Sequence, residues 1–243
     1  MNFLALGLLL PLAACSFNGS GDDDGAGVPS QGSGTTRSYT VTDFSTISLR
    51  GSDDVDVRVG TGFSVRAEGP ADMLDRLKIE KDGQALNVGR RNGVNLEWAK
   101  TGKVKVFVTL PRLAGAGISG SGNMAVDRIE GGTFRANVAG SGNLGIGAVQ
   151  VDDLSVSIAG SGNVAAAGAV NAFAAKVAGS GDVDAPGLRA RSARVDIAGS
   201  GSVRAVVDGS AKITMMGSGD VDLGPGAACT VSKMGSGSVR CAP

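Results

Sequence analysis

From about residue 113 onward, apolar and polar residues alternate in short runs, and the alternation restarts after each Gly-Ser-Gly tripeptide. Alternation of period two marks a strand with one buried face. Before the tripeptide the apolar positions are Phe134, Ala136 and Val138; Leu154, Val156 and Ile158; Phe173, Ala175 and Val177; Ala193, Val195 and Ile197; and Ala211, Ile213 and Met215. After it they are Leu144 and Ile146, Val164 and Ala166, Val183 and Ala185, Val203 and Ala205, and Val221 and Leu223. Each tripeptide therefore sits at a corner between two strands.

The residue behind each tripeptide is Asn123, Asn143, Asn163, Asp182, Ser202, Asp220 or Ser238, at spacings of 20, 20, 19, 20, 18 and 18. This is an internal repeat. A unit of that size cannot bury its apolar face alone, whereas coils stacked at ~4.8 Å build a continuous core. The expected fold is all-β: a right-handed parallel β-helix of about 18–20 residues per coil. Glycine on both sides of serine suits a corner with positive φ, and Asn or Asp beside it tolerates the same conformations. The outward residues Asp184, Arg204, Asp222 and Arg240 then form a charge ladder, each surface pair contributing only ~0.2–1 kcal/mol.

Residues 37–112 lack the period but alternate over 55–59, 63–67 and 104–108, with a short helix expected near 73–77. They are expected to form an irregular β cap over the N-terminal end of the solenoid, where an open edge would invite aggregation. The cap and the repeats of 113–243 are expected to be one continuous structure. Cys229 and Cys241 fall on the inward register on either side of the last corner, so they can meet as a disulfide. Closing a loop of about a dozen residues contributes on the order of 3 kcal/mol.

Residues 3–14 are an uncharged apolar run of twelve ending at Cys15. That is too short to span ~30 Å of hydrocarbon and suits the core of an export signal. Leu12-Ala13-Ala14-Cys15 resembles the lipobox of bacterial lipoproteins, which implies a signal peptide over 1–14, cleavage before Cys15 and a lipid on that cysteine. No Lys or Arg lies among residues 1–14, so the positive n-region is reduced to the α-amine or the true start lies upstream. By resemblance to lipoprotein sorting in Gram-negative bacteria, Ser16 implies the outer membrane. Residues 15–36 are Gly-, Ser- and Asp-rich and read as a flexible tether. Asp22, Asp23 and Asp24 within it are assigned no site.

Composition narrows the chemistry. Forty glycines beside 42% hydrophobic residues exclude an ordinary helical protein and a disordered polar chain. Lys+Arg and Asp+Glu are both 23, so nucleic acid is not an expected partner. With no histidine, the usual serine-type triads and zinc sites are absent. No catalytic residue, metal or cofactor is assigned. Asp152 with Asp153, or Asp53 with Asp54, would be the carboxylates of a polysaccharide-active enzyme, but neighbouring strand residues face opposite sides. Gly-Ser-Gly-Asp-Val-Asp at 179–184 and 217–222 superficially resembles a calcium roll, which needs a nonapeptide period. One Trp, Trp98, and one Tyr, Tyr39, are too few for a sugar-stacking platform, and Trp98 reads as a packing residue of the cap.

Phe44-Ser-Thr-Ile47 leading to Asp54-Val-Asp-Val57, then 106–111 with Leu113, then the serial corners, together resemble the bacterial family called putative auto-transporter adhesin, head GIN domain. The resemblance runs from about Phe44 to Arg240. It implies a β-helical extracytoplasmic protein, frequently lipid-anchored, with no catalytic residues to transfer. The expected function is that of a cell-envelope lipoprotein with a non-catalytic, structural or adhesin-like surface role, whose partners are the membrane through Cys15 and an unnamed envelope component. The alternatives are a polysaccharide-active β-helix enzyme and a calcium-dependent binding protein.

Overall fold

The computed structural model describes residues 27–91 and 102–241. Chain order begins with β1 (Ser30–Gln31), β2 (Thr36–Tyr39), β3 (Thr46–Gly51), β4 (Asp54–Val59) and β5 (Ser64–Glu68). A short helix, α1 (Ala71–Leu74), precedes β6 (Leu77–Asp82), β7 (Ala85–Arg90), β8 (Lys105–Leu110) and β9 (Gly115–Gly120). The repeats follow as five long bent strands, β10 (Met124–Gly140), β11 (Asn143–Gly160), β12 (Asn163–Gly179), β13 (Val183–Gly199) and β14 (Val203–Gly217). The last coil is β15 (Asp220–Asp222), β16 (Ala228–Met234) and β17 (Ser238–Arg240). Together they make a parallel β-solenoid of about six turns.

Each long strand pairs in parallel with the next along nearly its whole length, as in Leu144 against Val164 and Phe173 against Ala193. One wall precedes the corner, running β7, β3, β9 and then the later halves of β10 to β14 and β16. A second wall follows the corner, running β8, β4, the starts of β10 to β14, then β15 and β17. The inward residues expected on either side of the corners from Phe134 to Leu223 are all buried, and Cys229 and Cys241 in the last coil are half-buried against them. A short third wall joins them and buries Ile129, Val149, Val170, Leu188 and Val207. Its register slips between Ile146 and Val149 and between Asp184 and Arg189, where coil length changes.

The corners are built by close backbone contact. The carbonyl of Gly140 accepts from Ser161 N and Gly162 N, both at 2.9 Å; the carbonyls of Gly51, Gly120, Gly160 and Gly179 repeat both bonds, and those of Gly199 and Gly217 accept one each. Gly160 has φ +126, and a Cβ there would overlap the carbonyl of Gly140 in the coil below. Only glycine fits a position that combines that backbone region with that approach.

The cap uses antiparallel pairs, which hairpins can join without a crossover. β6 pairs with β7, β5 with β8, β2 with β5 and β1 with β2. β7 and β8 also pair in parallel beneath β3 and β4, so cap and solenoid share one sheet and one hydrophobic core. The helix occupies Ala71–Leu74 instead of 73–77, because Leu77 already pairs with Arg90 in the β6–β7 ladder. The reading of 15–36 as a tether also fails over its final residues. Val28 N bonds Ile79 O, Ser30 and Gln31 pair with β2, and Gly69 N bonds Thr35 O. The polar composition misled here because these residues take part mainly through backbone groups, while Val28 also packs its side chain against the core.

Cys229 and Cys241 form a disulfide across the last coil, with Cα atoms 6.2 Å apart. Cys229 sits in register over Ala211, and Cys241 follows Arg240, which pairs with Asp222.

Candidate functional site

The seven corner residues stack coil upon coil, and hydrogen bonds link them in two runs, Asn123 to Ser202 and Asp220 to Ser238. Asn143 Nδ2 donates to Asn123 Oδ1 at 2.9 Å, and Asn163 Nδ2 to Asn143 Oδ1 at 2.9 Å. Asp182 N donates to Asn163 Oδ1 at 3.0 Å and Ser202 N to Asp182 Oδ1 at 2.7 Å. In the last coil Ser238 donates to Asp220 Oδ1 from its backbone N at 3.0 Å and from its hydroxyl at 2.5 Å. These bonds hold the Asp220 carboxyl below its ordinary 3.8. Side chains repeated at strand spacing thus satisfy one another from Asn123 to Ser202 and again between Asp220 and Ser238, adding bonds to the parallel ladder.

The ladder begins one coil earlier than the repeat does. Asn123 donates to Asp54 Oδ1 from its backbone N at 3.1 Å and from Nδ2 at 3.0 Å. Beside it Gly51-Ser52-Asp53 forms the first corner, with Ser121 N and Gly122 N bonding Gly51 O. Asp53 takes the place of the second glycine, and its carboxylate is fully buried. It accepts from Arg90 Nε at 2.9 Å, Arg90 Nη2 at 2.6 Å and Val104 N at 3.0 Å. Hydrogen bonding to this carboxylate keeps the Arg90 guanidinium protonated beyond its usual range.

Next to the corner ladder runs an outward column on the second wall. In register order it reads Arg66, Phe107, Asp56, Ala125, Gly145, Ala165, Asp184, Arg204, Asp222 and Arg240. The expected charge ladder is present, with Arg204 3.6 Å from Asp184 and Arg240 3.9 Å from Asp222. Toward the cap, Arg66 and Lys105 lie over the Phe107 ring at 4.7 and 5.2 Å. Three consecutive small residues between the two charged ends leave a trough.

That trough is an open groove of about 470 Å³. Gly145 and Ala165 form its floor, Asn143, Asn163, Asp182 and Ser202 one rim, and the Asp184–Arg204 pair one end. The lining offers amide donors, two carboxylates and a guanidinium along a straight line. It suits hydrogen-bonded contact with a polar surface or chain.

The carboxylate pairs considered for catalysis are engaged in the scaffold. Asp53 is the buried corner acid, Asp54 heads the ladder, Asp152 accepts from Asn171 Nδ2 at 2.9 Å, and Asp153 accepts from Thr133 at 3.5 Å. Among the described residues, no three or more His, Cys, Asp or Glu side chains gather as a metal site, and Asp182 and Asp220 serve as acceptors for the next coil. Cys15, Ser16, Asp22, Asp23, Asp24 and Trp98 lie outside the described residues.

Residues 43–224 match the family model described as putative auto-transporter adhesin, head GIN domain. The chain belongs to that family. Several solved structures share the solenoid of this head GIN domain protein. A putative adhesin from Bacteroides fragilis is 20% identical, with a TM-score of 0.76 over 85% of this chain and 95% of that one. A putative lipid binding protein from Parabacteroides distasonis is 22% identical, with a TM-score of 0.65 over 88% and 98%. A putative adhesin from Parabacteroides merdae is 20% identical, with a TM-score of 0.63 over 86% and 96%. At these identities the likeness is one of fold. No curated protein matches this head GIN domain chain.

Proposed function

We propose that this head GIN domain protein is an outer-membrane lipoprotein, cleaved before Cys15 and anchored there by lipid. Its β-helical body acts as a rigid, non-catalytic contact element of the cell envelope. The observation that carries the anchoring is the uncharged apolar run 3–14 ending directly at Leu12-Ala13-Ala14-Cys15. Among the described residues no helix is long and apolar enough to cross a bilayer.

The contact role rests on the groove beside the corner ladder. Its polar rim and its floor of Gly145 and Ala165 can meet the surface of an envelope component, and the stacked coils make it rigid, so little ordering cost opposes binding. A role in holding a free lipid, as the name of the Parabacteroides distasonis relative suggests for that protein, fits less well. Amides, carboxylates and a guanidinium line this groove.

The test is an intact-mass measurement on full-length chain extracted from membranes of a Gram-negative host, repeated with Cys15→Ala. A diacylglyceryl-bearing species beginning at Cys15, lost in the variant, supports the anchored reading. A soluble species cut elsewhere overturns it.

A further inference from the structure

The two ends of the solenoid are finished differently. At the cap end, the outer strand of the first wall is β6, whose Ile79 carbonyl is bonded by Val28 N and whose sequence carries Lys78, Glu80, Lys81 and Asp82. Charges of that kind are how natural sheets protect an edge. At the other end β16 pairs with β14 on one side and with no described strand on the other. Its seven residues, Ala-Cys-Thr-Val-Ser-Lys-Met, contain no proline and one charge, and that charge is already engaged, because Lys233 Nζ donates to Gly237 O at 2.6 Å.

The side chains of this edge leave apolar surface open. Val231 lies on the inward register over Ile213 yet is 45% exposed, because no other described strand covers it. On the outward side Met234 lies beside Met216, and they are 72% and 60% exposed. These three are the exposed large hydrophobic residues of the described chain, and all belong to the last two strands of one wall.

We propose that β16 pairs antiparallel with β16 of a second copy of this chain, about a two-fold axis at Val231. The sequence of the strand is what selects a second copy, because it complements itself. In that register Val231 faces its own mate and joins the two cores. Thr230 then faces Ser232, Met234 faces Ala228, and Lys233 faces the neutral Cys229. No like charges meet, and the full strand is used. Shifting the centre by two residues brings Lys233 against Lys233, and stacking β16 on the charged β6 edge would build an open filament instead of a closed pair. A seven-residue strand spans only ~23 Å, so the contact is small and its occupancy depends on concentration.

The test uses two differently tagged full-length chains expressed together and extracted from the host. Copurification of the two tags is expected for the native pair. With Val231→Lys in both chains it should fall at least tenfold, and Val231→Lys in one with Val231→Glu in the other should restore it. Each variant must keep its disulfide and melting temperature, which Val231's exposed place allows. Absence of native copurification, persistence of the Lys–Lys pair, or failure of the Lys–Glu pair to recover overturns the proposal. The pairing does not depend on the lipid at Cys15, so the mass measurement above and this one fail separately.

Discussion

Arg90 grips Asp53 with two hydrogen bonds, Nε at 2.9 Å and Nη2 at 2.6 Å, and the carboxylate it holds is fully buried in the first corner of the solenoid. Seven later corners place Gly-Ser-Gly there, so this pair is where an irregular cap is locked to a regular stack. Removing one member of a buried pair strands the other charge. Arg90→Met is therefore expected to destabilise the cap by about 3–5 kcal/mol, measured by denaturant unfolding. Adding Asp53→Gly, which recreates the standard corner, should recover at least half of that loss. Additive losses in the double variant would show that the pair is not coupled.

Gly160 and Gly145 separate two meanings of glycine in this chain. Gly160→Ala places a Cβ against the Gly140 carbonyl at φ +126, disturbing the bonds from Ser161 N and Gly162 N. The combined backbone and overpacking cost is on the order of 4 kcal/mol. A Cβ at Gly145 meets nothing within 4 Å, so Gly145→Ala should change stability by less than about 0.5 kcal/mol. It should nevertheless narrow the groove. Equal melting temperatures for the two variants would contradict the corner argument.

Much of this architecture is written in the chain, and the parts that are not have physical reasons. Phe134, Leu154 and Phe173 could be placed inward because the alternation around each corner keeps phase with a fixed tripeptide. Ile129, Val149 and Leu188 on the third wall could not, since coils of unequal length absorb their difference there by register slips. The corner at Gly51-Ser52-Asp53 was hidden twice: an acid replaces its second glycine, and 69 residues separate Asp54 from Asn123, the next step of the ladder. The groove floor was also illegible. Gly145 and Ala165 are merely weak strand residues until the register aligns them between charged neighbours.

The Cys229–Cys241 bond closes a separation of 12 residues at the open end. Replacing both by alanine should cost on the order of 3 kcal/mol. In a stacked array that loss stays local. Amide exchange should therefore accelerate in 228–240 while the amides of β10 and β11 keep their protection. Uniform loss of protection along the solenoid would refute the local account.

Tyr39 gives the cap a proton-linked signature that can be read alone, since it is the chain's one tyrosine. Its side chain is 6% exposed, and burial pushes the phenol above its ordinary 10.0 despite the opposing pull of Arg37 and Arg91. Arg37 is itself held by Asp75 at 2.8 Å, whose charge adds to the upward shift. The folded state thus binds the phenolic proton more tightly than the unfolded chain, which releases it near pH ~10. Tyr39's contribution to stability is complete below that pH and is lost as pH rises through the higher folded value. An absorbance titration at the tyrosinate band should show ionisation only above pH 10, and Tyr39→Phe should flatten the alkaline decline in melting temperature. A phenol that ionises at or below its ordinary value would mean that the cap does not enclose it.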